Sequence, residues 1–302
     1  MRVDHQTAAP VGATAIVGVG LIGGSIGMAL RAAGHRVVGI GRDPARLDEA
    51  RRLGAIDEAA ASADLPEVLR DVAVAVVCTP VDRIATDVVA LAAAGPDDLL
   101  ITDAGSTKRA LVERIEADPI AVRRFVAAHP IAGSERQGVA HSRADMFEGR
   151  VCALTPTERT PPDRLERARC FWKLLGCRIV ELDPVEHDRR LALTSHLPHA
   201  VSSALSSLVP PDHLPLAAGA HRDVTRVAGA DAALWASIFL ENRTDLLSAL
   251  AAFRSRLELL EQALSAGDRD RVEAWWAPGR AHRMAFLEEN SGKSVASRAD
   301  AD

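Results

Sequence analysis

From Val11 to Leu30 the chain carries no charge, and Arg31 closes the run. A stretch of about 20 apolar residues can span a bilayer, but six glycines interrupt this one: Gly12, Gly18, Gly20, Gly23, Gly24 and Gly27. A secretory leader is not expected either, because it would want a basic start that Asp4 and His5 do not supply. What fits is a short strand, Ala13–Val17, then Gly18-Val19-Gly20-Leu21-Ile22-Gly23, then a helix from Ile22 to Ala33. Between a strand and a helix, this glycine spacing is a dinucleotide-binding fingerprint. Gly18 permits the tight turn, Gly20 lets a pyrophosphate approach the backbone, and Gly23 allows close helix–strand packing. The first turn of the helix offers unpaired N–H groups to the phosphates. The alternative is a glycine-rich turn that holds no ligand.

The apolar period keeps alternating after that opening. Arg36–Ile40 is strand-like, and Pro44–Leu53 is helical, with Asp43 as its cap and Pro44 at the first helical position. Val72–Cys78 is a continuous apolar run, the pattern of a strand buried on both faces. Ile84–Ala94 and Lys108–Ala117 read as helices, and Leu99–Thr102, Phe125–Ala128 and Val151–Leu154 as short strands. Strands alternating with helices predict an α/β fold with a parallel sheet covered on both sides.

Beyond Asp183 the pattern turns helical. Asp183-Pro184-Val185-Glu186 is a capping box, and one helix is expected from there to about Leu208, kinked at Pro198. Pro210, Pro211 and Pro215 break the chain, and a second long helix begins near Asp231. Its apolar stripe runs Trp235, Phe239, Leu246, Leu250, Phe253, Leu257, Leu260, Leu264, which suits a helical-bundle core or an interdigitated dimer equally. The expected organisation is a dinucleotide-binding domain over 1–183, an all-helical domain over 184–288 and a disordered tail over 289–302. No separate regulatory module is expected after the helices.

Composition excludes some functions. A net charge of −5 over 302 residues leaves no basic footprint for nucleic acid. The four cysteines (Cys78, Cys152, Cys170, Cys177) show no CxxC spacing and read as buried thiols in a reducing cytoplasm.

The end of the second strand chooses the cofactor. An acid there would bind the adenosine ribose hydroxyls, but this chain reads Gly39-Ile40-Gly41-Arg42-Asp43. Arg42 can pair with a 2′-phosphate, which leans the choice from NAD toward NADP, while Asp43 serves as the helix cap. The cofactor set assigned from the sequence is Gly18, Gly20, Leu21, Ile22, Gly23, Arg42, Thr79, Pro80 and Asp103.

Three further clusters stand out. Asp103-Ala104-Gly105-Ser106-Thr107-Lys108 follows a predicted strand, at the sheet edge where such folds bind ligands; Ser106 is either a site residue or the cap of the next helix. His129-Pro130-Ile131-Ala132-Gly133-Ser134-Glu135 brings an imidazole to the same edge. Ser195-His196-Leu197-Pro198-His199 puts two histidines three apart on one helix face. No third ligand has metal-site spacing, so no metal is assigned.

With these segments in view the chain resembles the prephenate/arogenate dehydrogenase family of tyrosine biosynthesis. The resemblance covers roughly residues 14–285. It rests on the strand–GVGLIGGS–helix opening, the DAGST loop, HPIAGSE, Met146-Phe147-Glu148 and SHLPH. Further on come Gly219, Arg222-Asp223-Val224-Thr225-Arg226, Leu234-Trp235 and Glu241-Asn242-Arg243, all in the family's order. The family implies a Rossmann-type domain, an all-α domain that forms an intertwined homodimer, and oxidation of prephenate or its amino analogue arogenate by NAD or NADP. Its catalytic histidine carries over to His129, its loop serine to Ser106 and its substrate-carboxylate arginine to Arg226. His196 and His199 would line the substrate pocket and Glu135 its mouth. The chain departs from the family at His221, where an aromatic is common, and in lacking the second-strand acid.

The chemistry suits those roles. Removing a hydroxyl proton as hydride departs needs a neutral base, and imidazole is one at neutral pH. A substrate with two carboxylates explains a bidentate arginine. Two other readings fit parts of the pattern. A 3-hydroxyacid or 6-phosphogluconate type dehydrogenase would use a lysine of its second domain, yet the lysines are Lys108, Lys173 and Lys293, none in the long helices expected after Asp183. A non-catalytic dinucleotide sensor would not need His129, Ser106 and Arg226 together.

Overall fold

The computed structural model describes residues 12–133 and 136–299. The chain begins β1 (Ala13–Val17), α1 (Leu21–Ala32), β2 (Val37–Gly41), α2 (Pro44–Arg52), β3 (Glu58–Ala61), α3 (Leu65–Val68) and β4 (Val72–Val77). It continues α4 (Val81–Ala94), β5 (Leu100–Asp103), α5 (Arg109–Glu116), α6 (Ala121–Arg124) and β6 (Phe125–Val126). These six strands pair in parallel in the order β3-β2-β1-β4-β5-β6. A second, three-stranded sheet follows from β7 (Ala128–Pro130), β8 (Val151–Leu154), α7 (Pro162–Leu174) and β9 (Arg178–Glu181), with β7 antiparallel and β9 parallel to β8. The rest is helical: α8 (Pro184–Leu191), α9 (Leu197–Leu208), α10 (Gly219–Thr225), α11 (Ala232–Glu241), α12 (Arg243–Ser265) and α13 (Arg269–Ala299).

Strand alternation builds the core. Ala13, Ala15 and Val17 of β1 face one apolar layer with Val77, Ile84, Val88 and Ile101. Ile16 faces the other with Ile26, Leu30, Val76, Phe147 and Trp172. Both faces are therefore covered, as a parallel sheet requires. Trp172 is fully buried with Phe147 and Phe171 edge-on to it, and its Nε1–H donates to Thr102 Oγ1 at 3.3 Å.

Register brings the loops together. Val17 pairs with Ile40 on one side and Val77 on the other, and Val77 pairs with Asp103. The segments starting at Gly18, Gly41, Cys78 and Ala104 therefore leave the sheet along one carboxyl edge, where open α/β sheets bind ligands.

Several expectations need correction. Phe125–Ala128 is not one strand: β6 ends at Val126 and β7 starts the second sheet at Ala128. β3 and β9 were not anticipated; β3 is mostly alanine, which carries little strand signal. The helix from Pro184 does not run unbroken, since a π-turn over Ala192–His196 separates α8 from α9. Pro198 has no N–H for the carbonyl four residues back, and the wider turn takes up that mismatch. The long helix from Asp231 breaks at Asn242, whose side chain turns inward. α13 keeps helical backbone to Ala299, where composition suggested disorder from 289, and so carries Lys293. All four cysteines are free; Cys152 and Cys177 are buried, but Cys78 and Cys170 only half so.

Contacts divide the chain into two compact units after Leu246. α8 to α11 pack back on the first part: Ile238 joins the sheet core, and Arg114 pairs with Glu241 at 2.7 Å. In the second unit Trp275 and Arg256 exchange hydrogen bonds, with the guanidinium 5.5 Å from the indole ring.

One buried ion pair anchors the carboxyl edge. Asp103 and Lys108 are both 0% exposed, with Nζ 2.6 Å from Oδ2. Asp103 also accepts Gly105 N and, through Oδ1, Ala128 N at 2.9 Å, which ties β5 to the strand carrying His129. Asp103→Asn leaves the ammonium buried without its countercharge and should cost about 3–5 kcal/mol, read as a fall in urea-unfolding free energy. A change under about 1 kcal/mol would show that the pair is not an anchor.

Candidate active site

The glycine loop has the geometry the sequence assigned to it. Gly18 sits at φ +91°, and a Cβ there would lie 2.9 Å from Cys78 O. A Cβ on Gly23 would lie 2.2 Å from Gly18 O, so the α1–β1 approach needs glycine. At Gly20 nothing lies within 4 Å of an added Cβ. Gly20 is the N-cap of α1 with no side-chain cap, and the first turn holds no acid. Open space over uncapped N–H groups fits a pyrophosphate. Leu21 and Ile22 are half-buried at this opening. Ser142 Oγ donates to Leu21 O at 3.0 Å, holding the segment after His129 against the same turn.

The remaining cofactor candidates divide. Arg42 is exposed just past β2 and Pro80 is exposed just past β4. Thr79 Oγ1 donates to Asp87 Oδ2 at 2.6 Å, so its hydroxyl is engaged by the middle of α4. Asp103 does not present a carboxylate to the glycine loop: it is fully buried, with both oxygens engaged by Lys108, Gly105 and Ala128.

Ser106 is half-buried in the turn after Asp103. It is not the cap of α5, whose N-cap is Lys108. The N–H groups that open that helix are instead met by Asp188, which accepts Lys108 N at 2.8 Å and Arg109 N at 2.9 Å.

His129 lies on β7 of the second sheet, half-buried, next to the Ala128 amide held by Asp103. Its Nδ1 is 2.9 Å from His187 Nε2, and His187 Nδ1 is 2.8 Å from Asp188 Oδ1. Burial, reinforced by His187, Lys108 and His196, pushes His129 well below the ordinary imidazole value. Burial lowers His187 too, against the pull of Asp188. Burial works to raise Asp188, but hydrogen bonds from His187 and the Arg109 and Lys108 amides prevail and hold it low. The arrangement is two neutral imidazoles backed by a carboxylate.

The SHLPH histidines join this group. His196 is buried on the π-turn, and its Nδ1 is 3.0 Å from Asn242 Nδ2, which also donates to Asp188 O at 2.8 Å. With both amide hydrogens placed, His196 Nδ1 is the acceptor. Its Nε2 is buried and unpartnered among the described residues. Burial pushes His196 down to about 4. His199 stacks on Trp235 at 3.6 Å between centroids. Burial lowers its pKa, and the Arg226 guanidinium adds to that shift, which places Arg226 within electrostatic reach of it. Arg226 itself is exposed, on a 3₁₀ turn over Arg226–Gly229. Glu135 lies outside the described residues. Among the described residues no group of three His, Cys, Asp or Glu is arranged for a metal ion, and no helix is long and apolar enough to cross a membrane.

Sequence reasoning missed His187, Asp188 and Asn242. The signal was present in α8. Its buried face is Pro184, His187, Asp188 and Leu191, a helical stripe in which two polar residues stand where apolar ones belong.

Comparison with known proteins follows the same lines. A sequence model described as "Prephenate dehydrogenase, nucleotide-binding domain" matches residues 26–181, and one described as "Prephenate dehydrogenase, dimerization domain" matches residues 183–277. A prephenate dehydrogenase of Bacillus subtilis is 31% identical over 277 residues, covering 89% of this chain and 74% of that protein. A cyclohexadienyl dehydrogenase of Zymomonas mobilis is 32% identical over 281 residues, covering 90% and 95%. The crystal structure of prephenate dehydrogenase from Aquifex aeolicus, in complex with hydroxyphenyl propionate and NAD+, superposes with a TM-score of 0.86 at 30% identity, covering 93% of this chain and 100% of that one.

The buried histidines set a pH dependence. His129, His187 and His196 are neutral when folded, whereas an unfolded chain protonates each near the ordinary value of 6.5. Unfolding therefore takes up protons below pH 6.5, and stability falls with pH, for His196 down to about 4. Each such histidine contributes up to about 1.4 kcal/mol per pH unit. Urea titrations at pH 7, 6 and 5 should show that loss, less steeply in His196→Gln. Level or rising stability on acidification would contradict it.

Proposed function

The chain belongs to the prephenate dehydrogenase family, and we propose that it converts prephenate to 4-hydroxyphenylpyruvate and carbon dioxide with a nicotinamide cofactor. The observation that carries this reading is a neutral imidazole, His129, on the strand whose Ala128 amide is tied to Asp103 at the carboxyl edge of the sheet that bears the open glycine loop.

An oxidised nicotinamide, when bound, supplies the hydride acceptor. Gly18, Gly20, Leu21, Ile22 and Gly23 would hold its pyrophosphate. His129 Nδ1 is engaged by His187, so Nε2 is the nitrogen left for the substrate hydroxyl. It takes that proton as the ring carbon is oxidised, with Ser106 hydrogen-bonding the same oxygen. The ring-to-carboxylate bond then breaks, and its electron pair completes an aromatic ring. Aromatisation drives this loss, so no separate decarboxylation catalyst is needed. The proton on His129 returns to the phenoxide, so no proton is gained or lost overall. Arg226 would hold a substrate carboxylate and the buried Nε2–H of His196 would donate to another substrate oxygen, with His199 and Glu135 completing the pocket.

The division of labour we propose keeps 1–183 for the dinucleotide and 184–288 for substrate and self-association. The partner is a second copy of the chain. A dimerisation-domain match and the exposed apolar side chains Leu247, Leu257, Leu264, Trp276 and Phe286 support it. Free thiols fit a reducing compartment such as the cytoplasm. For the cofactor, Gly41 in place of an acid and the exposed Arg42 favour NADP.

His129→Asn should lower kcat by about 10²–10⁴-fold with little change in KM, followed as reduced nicotinamide formed from prephenate. A kcat within a few-fold of the unsubstituted protein would remove His129 from the role. The ratio of kcat/KM for the two cofactors tests Arg42: it should favour NADP, and a strong NAD preference would reject that choice.

A further inference from the structure

Asp188 is an acceptor three times over. It takes Lys108 N, Arg109 N and His187 Nδ1, all within 2.9 Å. Two of those donors are backbone amides, which cannot reverse. A carboxylate so placed leaves His187 Nδ1 no role except donor. His187 is 0% exposed, and the buried ammonium of Lys108 acts against a positive charge on it. A neutral imidazole protonated at Nδ1 has a bare Nε2. That nitrogen faces His129 Nδ1 at 2.9 Å, and two bare nitrogens do not bond. His129 must therefore carry its hydrogen on Nδ1.

We propose that His187 and Asp188 are positioning residues that lock His129 in the tautomer whose Nε2 holds the lone pair. The inference rests on His129 being the base. If His187 presented an N–H instead, His129 would accept it at Nδ1, carry its own hydrogen on Nε2 and be unable to take the hydroxyl proton. The lock is built from one direction only, because its origin is a carboxylate pinned by the amides that open α5. Asn242 fixes the same helix from the other side, through Asp188 O. No proton needs to travel along the chain: His129 takes one at Nε2 and returns it from Nε2, while His187 and Asp188 keep theirs.

The test uses the full chain with ¹⁵N-labelled histidine. At neutral pH the nitrogen shifts of His129, assigned by their loss in His129→Asn, should show a protonated Nδ1 and a bare Nε2. Asp188→Asn keeps an oxygen for only one of the two α5 amides, which Oδ1 and Oδ2 accept separately, and its amide NH2 in the place of Oδ1 can donate to His187 Nδ1 and turn over that tautomer. In that variant His129 should switch to a protonated Nε2, and kcat should fall about 10²–10⁴-fold with KM within about threefold. His187→Gln can place a carbonyl oxygen where Nε2 stood, so it should keep the tautomer and stay within about tenfold of the unsubstituted kcat, whereas His187→Leu should not. A protonated Nε2 in the unsubstituted protein overturns the proposal. So does a loss of kcat in Asp188→Asn with the His129 tautomer unchanged, which would mark a merely structural role. Should the protein fail to act on prephenate at all, the functional reading fails while the tautomer measurement still decides this one.

Discussion

A closed circuit of hydrogen bonds fixes the geometry on which everything else depends. Asp103 at the end of β5 holds the Lys108 ammonium and the Ala128 amide. The Lys108 amide is held by Asp188, Asp188 by His187, and His187 by His129, one residue from Ala128. The circuit joins the main sheet, the second sheet and the first helix of the carboxyl-terminal half. Most of its links are buried, where a broken hydrogen bond leaves a desolvated group behind. Its members are therefore held in one arrangement, as a proton-transfer site requires.

That circuit explains why the compact unit extends past position 183. A boundary drawn where strands give way to helices follows the change of period. The bonds from Asp188 to α5, from Asn242 to α8 and from Arg109 to Asp245 instead bind the early helices of the second half to the sheet. The His129 imidazole is carried by one half and hydrogen-bonded from the other.

Much of this was legible in the residues. The strand–glycine–helix opening, the buried run of β4 and the helix caps at Asp43 and Asp183 are local signals, and local physics decides them. Asp43 and Asp183 both accept the amides they were expected to cap. The histidine of HPIAG and those of SHLPH do come into one neighbourhood. What escaped depends on contacts distant in sequence. His187 is 58 residues from its partner His129, and nothing at that range shows in a spacing rule. Asp103 looked like a ligand-edge carboxylate because acids at strand ends often are; Lys108, five residues on, takes it inside. Asn242 sits in an apolar stripe as a minor interruption, yet its amide ends one helix and holds His196.

In the proposed reaction His129 Nε2 meets the oxygen from which the substrate proton leaves. A crystal structure of this chain with oxidised cofactor and a phenolic product analogue measures that contact directly. The phenolic oxygen should lie about 2.6–3.2 Å from His129 Nε2, beside Ser106, with a carboxylate of the analogue on Arg226. A phenolic oxygen turned away from His129, with the imidazole and the ring on different sides of the nicotinamide, would contradict it.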